Sequence, residues 1–475
     1  MNYVFYDFET SGLDPYFDQP IQLAAKLVDS NFKTIEEFDE KCRLRDGVIP
    51  SPFAMLITKT DLEELDNEQS FYEFMDKAHK KLSSWSPAIF IGYNNINFDE
   101  KFLRSSLYQS LYAPYLTNTN SNSRADLFKI ILAVCNLEKK YINIPIDNNS
   151  GRKILKLESL AMNNKIKHEF AHDAMSDVNA TLDLANIIKT NEPELWDYMM
   201  LFRNHQNVSD FVQTNDISII PPTNATGGFV PACYLTSNPD NIKEMIFFNL
   251  DEDIDDDVLN SRTRSVGGLL KNKVLKKIKS NDYPIFLKDI HLDNQSRISF
   301  EEKRKSYEEK IKLIRSSNNF IMNINQFLVD QLADYQVDNR DYLSASEHVD
   351  EMLYSGFTGP SDWKKIKELS NLENSKDIFN KLDSLEDKRL VELYKRKLYS
   401  EQSNLLPNDF IKKYKEYLLN KISSDEEKIR WTTLIKARND LKKANNDERF
   451  SGMSNEIKNI EKYLDKIENK FLQSN

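Results

Sequence analysis

The chain opens on Tyr3-Val4-Phe5-Tyr6-Asp7-Phe8-Glu9-Thr10, an apolar run carrying two carboxylates one residue apart. In an extended strand alternate side chains share a face, so Asp7 and Glu9 point the same way out of a segment that must otherwise be buried. Like charges held side by side raise the free energy unless a cation lies between them. A hard divalent cation with oxygen ligands relieves that cost and brings chemistry with it. A lone Asp-x-Glu at an exposed strand end is equally a pair of solvated carboxylates, so the pair needs company. Asn94-Asn95-Ile96-Asn97-Phe98-Asp99 supplies a third carboxylate, and His172-Asp173-Ala174-Met175-Ser176-Asp177 a fourth together with an imidazole.

Each later residue also has a plain reading. Asp99 precedes Glu100-Lys101-Phe102-Leu103 and suits the first turn of a helix, where the macrodipole favours an acid. His172 is one of six histidines, and His168, four residues earlier, is a rival for the same role. Asp177 begins a stretch with helical apolar spacing, and Asp183 on that helix is expected at the surface.

An Asp-x-Glu strand, a later Asp and a terminal His-x4-Asp, in this order, resemble the signature of the DEDDh 3′–5′ exonuclease superfamily, whose fold is ribonuclease H-like. The likeness to the bacterial exonuclease I family extends further. It covers Gly92-Tyr93-Asn94-Asn95, Asn122-Ser123-Arg124-Ala125-Asp126-Leu127, Leu155-Lys156-Leu157-Glu158-Ser159-Leu160 and Ala171-His172-Asp173-Ala174-Met175-Ser176-Asp177-Val178. It also takes in Pro114-Tyr115 and, far downstream, Val349-Asp350-Glu351-Met352-Leu353-Tyr354-Ser355-Gly356-Phe357.

The resemblance implies two Mg2+ ions per active site, with Mn2+ as a substitute, held by Asp7, Glu9, Asp99 and Asp177. Asp7 is then the bridging carboxylate, Glu9 and Asp177 complete the shell of one metal, and Asp99 serves the other. His172 is implied as the general base, and an imidazole, with an ordinary pKa of ~6.5, can exchange a proton near neutral pH. The His172 to Asp177 spacing fits the family motif, whereas that from His168 does not. Contacts to DNA are implied at Glu9, Thr10, Tyr93, Arg124 and Lys156, with Tyr93 a candidate for base stacking and Lys156 for the scissile or adjacent phosphate. The implied activity is processive 3′ to 5′ hydrolysis of single-stranded DNA to 5′-mononucleotides, in DNA repair and recombination. Two departures stand out. Ser11 occupies a position where the family commonly has an aromatic residue, and Lys156 one where relatives tend to have Arg, which loses the bidentate fork toward phosphate.

The rival readings are a 3′–5′ exoribonuclease or proofreading-type nuclease, and a single-strand-binding protein that has lost catalysis. Single-strand-binding protein, met through its acidic tail, is a further expected partner, and the chain is expected to be a monomer.

At 475 residues the chain is too long for one ordinary core, and its 40% hydrophobic content argues for folded domains. The expected division is a DEDDh exonuclease domain over 1–197, an SH3-like middle domain over 198–346 and a helical domain over 349–475. The fold class is thus a multidomain α/β + α arrangement: a ribonuclease H-like α/β layer, a β-containing middle and an all-α terminal part. In the middle part, short β runs near Ile217–Pro222, Gly227–Val230 and Met245–Leu250 are punctuated by Pro and Gly. Lys271, Lys273, Lys276, Lys277 and Lys279 are read as a helical insertion there, followed by a strand at Pro284–Leu287.

Cys42, Cys135 and Cys233 show no paired spacing, which argues against a zinc site or a disulfide framework and for a reducing cytoplasm. No apolar run approaches the ~20 residues a membrane helix needs. Net charge is −11, unusual for a protein that binds a polyanion, but binding depends on where the basic groups lie. The acidic run Asp251–Asp257 is read as a solvated strand-end loop.

Overall fold

The computed structural model describes residues 1–137, 139–168, 172–345, 348–426 and 428–472, with the backbone alone for 338–345. Ala171 of the last motif, the expected domain end at 346 and the last three residues, 473–475, lie outside the described residues.

Five strands form the first sheet: β1 (Asn2–Thr10), β2 (Pro20–Val28), β3 (Thr34–Lys41), β4 (Ala88–Gly92) and β5 (Ser123–Asp126), in the order β3-β2-β1-β4-β5. The first three run antiparallel as a meander, and β4 and β5 continue the sheet in parallel with β1. A parallel step needs a crossover, and the helix Phe71–Ser84 lies in the one between β3 and β4. A complete capping box between Ser70 and Glu73 starts that helix, and Phe71, Phe74, Met75, Ala78 and Leu82 bury one face.

The period of two in β1 explains the arrangement. Val4, Tyr6 and Phe8 enter a cluster with Phe74, Phe90 and Leu103 on one side of the sheet. Tyr3 and Phe5 enter another, with Ile91, Val178 and Ala185, on the opposite side. Asp7 and Glu9 have the parity of Tyr3 and Phe5, so they extend the face on which the helix Ala174–Asn191 packs across β1 and β2. The first helical turn therefore brings Asp177 to the acid pair.

A second, antiparallel sheet comprises β6 (Ser218–Ile220), β7 (Val230–Asn238), β8 (Asn241–Asn249) and β9 (Leu275–Lys279) in sequence order. After β9 the chain returns to pair Leu287 with Ile219. Two expectations need correction here. Lys276, Lys277 and Lys279 lie on β9 and not in a helical insertion; only Lys271 ends a short helix, Val266–Lys271. Leu275 and Ile278, three residues apart, fall on opposite faces of this edge strand, and the three lysines fill its other positions, as suits a strand with one unpaired edge. Pro284–Leu287 forms only the single bridge at Leu287. Two long helices, Asn294–Ser316 and Asn318–Ala345, which the short β runs of the middle segment do not announce, follow the second sheet. The acidic run caps the end of β8 as a loop: Asp251 accepts from Tyr307 Oη at 2.7 Å, and Asp255 caps the short helix Asp256–Leu259.

A boundary at residue 197 cuts the helix Pro193–Met200, whose Trp196 is fully buried and donates from Nε1 to Tyr3 Oη at 3.2 Å. Trp196 thus belongs to the core of the first sheet. From Val349 onward the described residues hold helices and no strand. They pack back onto the first layer through two clusters, one joining Ile49, Met55 and Leu56 to Leu418, Leu441 and Leu464, the other joining Tyr108 and Leu111 to Leu353 and Leu390. Tyr108 Oη also donates to the Val349 carbonyl at 3.0 Å. Among the described residues no helix is long and apolar enough to cross a membrane.

Candidate nuclease site

Carboxylate oxygens of Asp7, Glu9 and Asp177 lie within 4.8 Å of one another, the spacing of ligands on a shared cation. Asp99 joins them as the first residue of the helix Asp99–Gln109, is buried, and accepts the backbone N–H of Phe8 at 2.9 Å. That bond ties the helix to the strand between the two acids. Burial, and then the charge of the neighbouring carboxylates, holds Asp7 well above the usual carboxylate range. Glu9 is pushed up to about 9 by burial first and by Asp177 and Asp99 next. Asp99 is pushed up to about 8, chiefly by burial, against the lowering effect of the Phe8 amide. Burial also raises Asp177, partly offset by His168. Four enclosed carboxylates that resist ionisation together and offer only hard oxygen donors fit a divalent cation.

The two histidines divide differently from the spacing argument. His168 Nε2 lies 2.5 Å from Asp177 Oδ1, with its side chain 5% exposed and its Nδ1 buried without a partner. His172 is exposed at a turn, with φ of 67°, and lines the groove that also holds Glu9, Lys41 and Asp173. The left-handed turn aims the His172 side chain at this open groove beside the acids. Asp173 caps the helix through Ser176 N–H at 3.1 Å and accepts from Gln22 Nε2 at 3.3 Å, anchoring the turn to β2.

The remaining candidates separate by exposure. Lys156 is exposed at the N-terminal edge of the helix Leu157–Asn163. Tyr93 donates its hydroxyl to the Leu155 carbonyl and sets its ring edge-on to Phe128 at 5.5 Å, so it fixes the segment that presents Lys156. Thr10 is buried and donates to the Gly12 carbonyl at 2.7 Å. Ser11 donates to Asp18 Oδ1 at 3.2 Å and accepts from Gln19 N–H, an internal role in the loop after β1.

Arg124, expected to contact DNA, makes contacts within the protein. Its guanidinium donates to Glu100 Oε2 at 2.8 Å and to the Asn281 carbonyl at 3.1 Å, and its side chain is 10% exposed. A buried guanidinium held by a carboxylate and a carbonyl acts as a strut between the first sheet and the loop after β9. Sequence reasoning missed Glu100, the buried centre of this network, which also binds Arg104 at 3.0 Å and Thr117. It missed Asp126 as well, which accepts from the backbone amides of Asn94 and Ile96 and so shapes the turn leading to Asp99. The only signal for Asp126 was its place at the start of a helix, in Arg-Ala-Asp-Leu.

A groove of about 630 Å3 runs between Asn97, two residues before Asp99, and Lys129 of the first layer and Lys273, Lys276, Lys277 and Lys279 of the second. Five lysines are thus gathered along one groove of a chain whose overall charge is negative.

Comparison with known proteins gives this geometry a context. The Exonuclease family model matches residues 4–185. Exodeoxyribonuclease I of Buchnera aphidicola subsp. Schizaphis graminum is 30% identical over 440 residues, covering 89% of this chain and 88% of the relative. Exodeoxyribonuclease I of Escherichia coli is 33% identical over 280 residues, 55% of this chain and 57% of the relative. Among solved structures, E. coli exonuclease I in complex with a dA16 oligonucleotide superposes with a TM-score of 0.85 at 24% identity, covering 98% of this chain and 99% of the other. An exonuclease I from Methylocaldum szegediense superposes with a TM-score of 0.85 at 23% identity and the same coverage. With acids gathered at the edge of a sheet of this topology, and with likeness along nearly its whole length, this nuclease belongs to the exodeoxyribonuclease I family.

Proposed function

We propose that the protein removes 5′-mononucleotides processively from the 3′ end of single-stranded DNA. The observation that carries this is the convergence of Asp7, Glu9 and Asp177, with Asp99 behind them, together with a lysine-lined groove. Asp7 is the central ligand, Glu9 and Asp177 complete one cation site, and Asp99 serves a second. Bound Mg2+, or Mn2+ in its place, supplies Lewis-acid stabilisation of the phosphate oxygens and a more acidic water. His172, at the open lip of the groove, receives the proton of the attacking water on an imidazole nitrogen. Lys156 neutralises a phosphate of the terminal nucleotides. Tyr93 orients Lys156, and the loop held by Thr10 bounds the terminal sugar, with Glu9 contributing from the metal side.

The β9 lysines and the helices packed on the first layer retain the strand between cleavages, which accounts for processivity. The expected setting is the cytoplasm, in DNA repair and recombination, for a monomer that also meets the acidic tail of single-strand-binding protein. The test is purified protein on end-labelled single-stranded DNA, duplex DNA and RNA, with and without Mg2+, products resolved by size. Metal-dependent release of mononucleotides from single-stranded DNA, lost in Asp7→Asn, is the expected result; equal or faster cleavage of RNA overturns the substrate assignment. With excess unlabelled trap, release of labelled DNA after one or two cuts overturns retention. Failure of an acidic tail peptide to bind removes that partner.

A further inference from the structure

The interface between the first layer and the C-terminal helices forms a separate, partly open pocket of about 260 Å3 that shares no residue with the acid pocket. The segment after β3 contributes Arg43 and Arg45, and the helices Lys388–Glu401 and Asn408–Ser423 contribute Arg396, Tyr414 and Lys421. Lys470 is a fifth cation on its wall, against only two carboxylates, Asp46 and Asp350.

Those carboxylates are already engaged. Arg396 Nη1 donates to Asp350 at 2.6 Å, and Lys470 Nζ to Asp46 at 2.5 Å. The other three cations have no carboxylate hydrogen-bond partner of their own: Arg43 donates to the Glu68 carbonyl, Arg45 to Gln19 Oε1, and the Lys421 ammonium lies 5.4 Å from the centre of the Phe17 ring, while Arg45 and Lys421 share with Arg396 the field of the single buried acid Asp350. Burial holds Lys421 down to about 8. Five cations against two carboxylates leave the pocket with an excess of positive charge, which an entering anion would offset. Two guanidinium forks and an ammonium are the groups that bind phosphate best, and the Tyr414 ring at the wall offers an apolar surface beside them.

We propose that this pocket is a binding site for a phosphate monoester, filled by the phosphate of a mononucleotide. The assignment stands on the excess of cations lining the pocket and does not require the exonuclease reading.

The experiment is calorimetry on the full-length protein in EDTA, where the four catalytic acids repel anions, with dTMP, inorganic phosphate and thymidine as probes. The expected result is binding of dTMP at least as tight as that of phosphate and none of thymidine. Lys421→Met and Arg45→Gln should each weaken dTMP binding about tenfold or more, the loss of one buried charge contact, while Glu9→Gln leaves it unchanged. Lys421→Met removes an ammonium whose charge burial disfavours, so it should also raise the melting temperature of the ligand-free protein, which keeps the test independent of folding defects. Absence of dTMP binding, binding of thymidine as tight as dTMP, binding of phosphate but not dTMP, or dTMP binding that neither variant weakens would each overturn the proposal.

Discussion

Replacing Asp7 with Asn should make the metal-free protein more stable while removing its metal-dependent activity. Two unit charges 4.8 Å apart repel by about 3.5 kcal/mol at an effective dielectric of ~20. Without a cation the fold escapes part of this by holding protons, which is why Glu9 is pushed up to about 9 and Asp99 to about 8. The unfolded chain releases the Glu9 proton near 4.5 and the folded chain only near 9. Between those values the folded state binds more protons, so the stability of the metal-free protein falls as pH rises. Asn keeps the size of Asp7 and carries no charge. The gain from Asp7→Asn is therefore expected to be on the order of 3 kcal/mol near pH 8, or roughly 5 °C in melting temperature, and much smaller near pH 5. Mg2+ should raise the melting temperature of the wild type, more at pH 8 than at pH 5 because it competes with protons, and should barely move the variant. Thermal unfolding in EDTA and in Mg2+ at both pH values reads this directly. A variant less stable than wild type in EDTA at pH 8, or equally stabilised by Mg2+, would refute the claim that the four acids form one strained, cation-seeking cluster.

Four further outcomes follow from the geometry. Lys156→Glu should raise KM on oligodeoxythymidine about tenfold or more, since a phosphate contact becomes a repulsion; unchanged kinetics would remove Lys156 from the site. His172→Ala should lower kcat by roughly 10²–10⁴-fold, the usual worth of a general base, with metal affinity measured by Mn2+ binding nearly unchanged; if His168→Ala alone shows that pattern, the two histidines exchange roles. Trp196→Ala should cost about 3–5 kcal/mol in chemical denaturation, because a fully buried ring and its bond to Tyr3 are lost together; a cost below 1 kcal/mol would mean that the helix does not belong to the first core. The double substitution Lys276→Ala with Lys277→Ala should flatten the salt dependence of single-stranded DNA binding by about 1.4 in log–log slope, ~0.7 per phosphate contact, and an unchanged slope would place the strand elsewhere.

What could be read from the sequence, and what could not, follows from the length scale of each signal. The parity of Asp7 and Glu9 was legible because a strand has a period of two and the flanking residues are all apolar. Asp177 was legible through the His-x4-Asp motif of the family resemblance, and the apolar spacing after it placed it at the start of a helix. The helices of the middle segment were not: Asn294–Ser316 buries only Phe300, Tyr307, Ile311 and Ile314, a sparse stripe on a mostly charged surface. β9 was missed because three of its five residues are lysines, and only the pairing with β8 makes it a strand. Arg124 and Glu100 could not be assigned because their meaning lies in a contact across 157 residues, between Arg124 and Asn281, to which no local pattern refers.

The Arg124 strut joins two features that look unrelated in sequence. Glu100 follows Asp99 directly, so the residue that receives Arg124 and Arg104 is bonded to the residue to which we assign the second cation site. A shift of the loop after β9 pulls on Arg124 through the Asn281 carbonyl, and Arg124 pulls on Glu100 at the first turn of the helix that carries Asp99. The same loop is continuous with the lysine strand that lines the groove. If the proposed strand path along β9 holds, the polyanion lies against the element that Arg124 links to the helix carrying Asp99. In a chain of net charge −11 this locates the basic surface where it is useful, on the element mechanically tied to the acids, and leaves the remaining surface free to carry the negative charge that keeps the protein in solution.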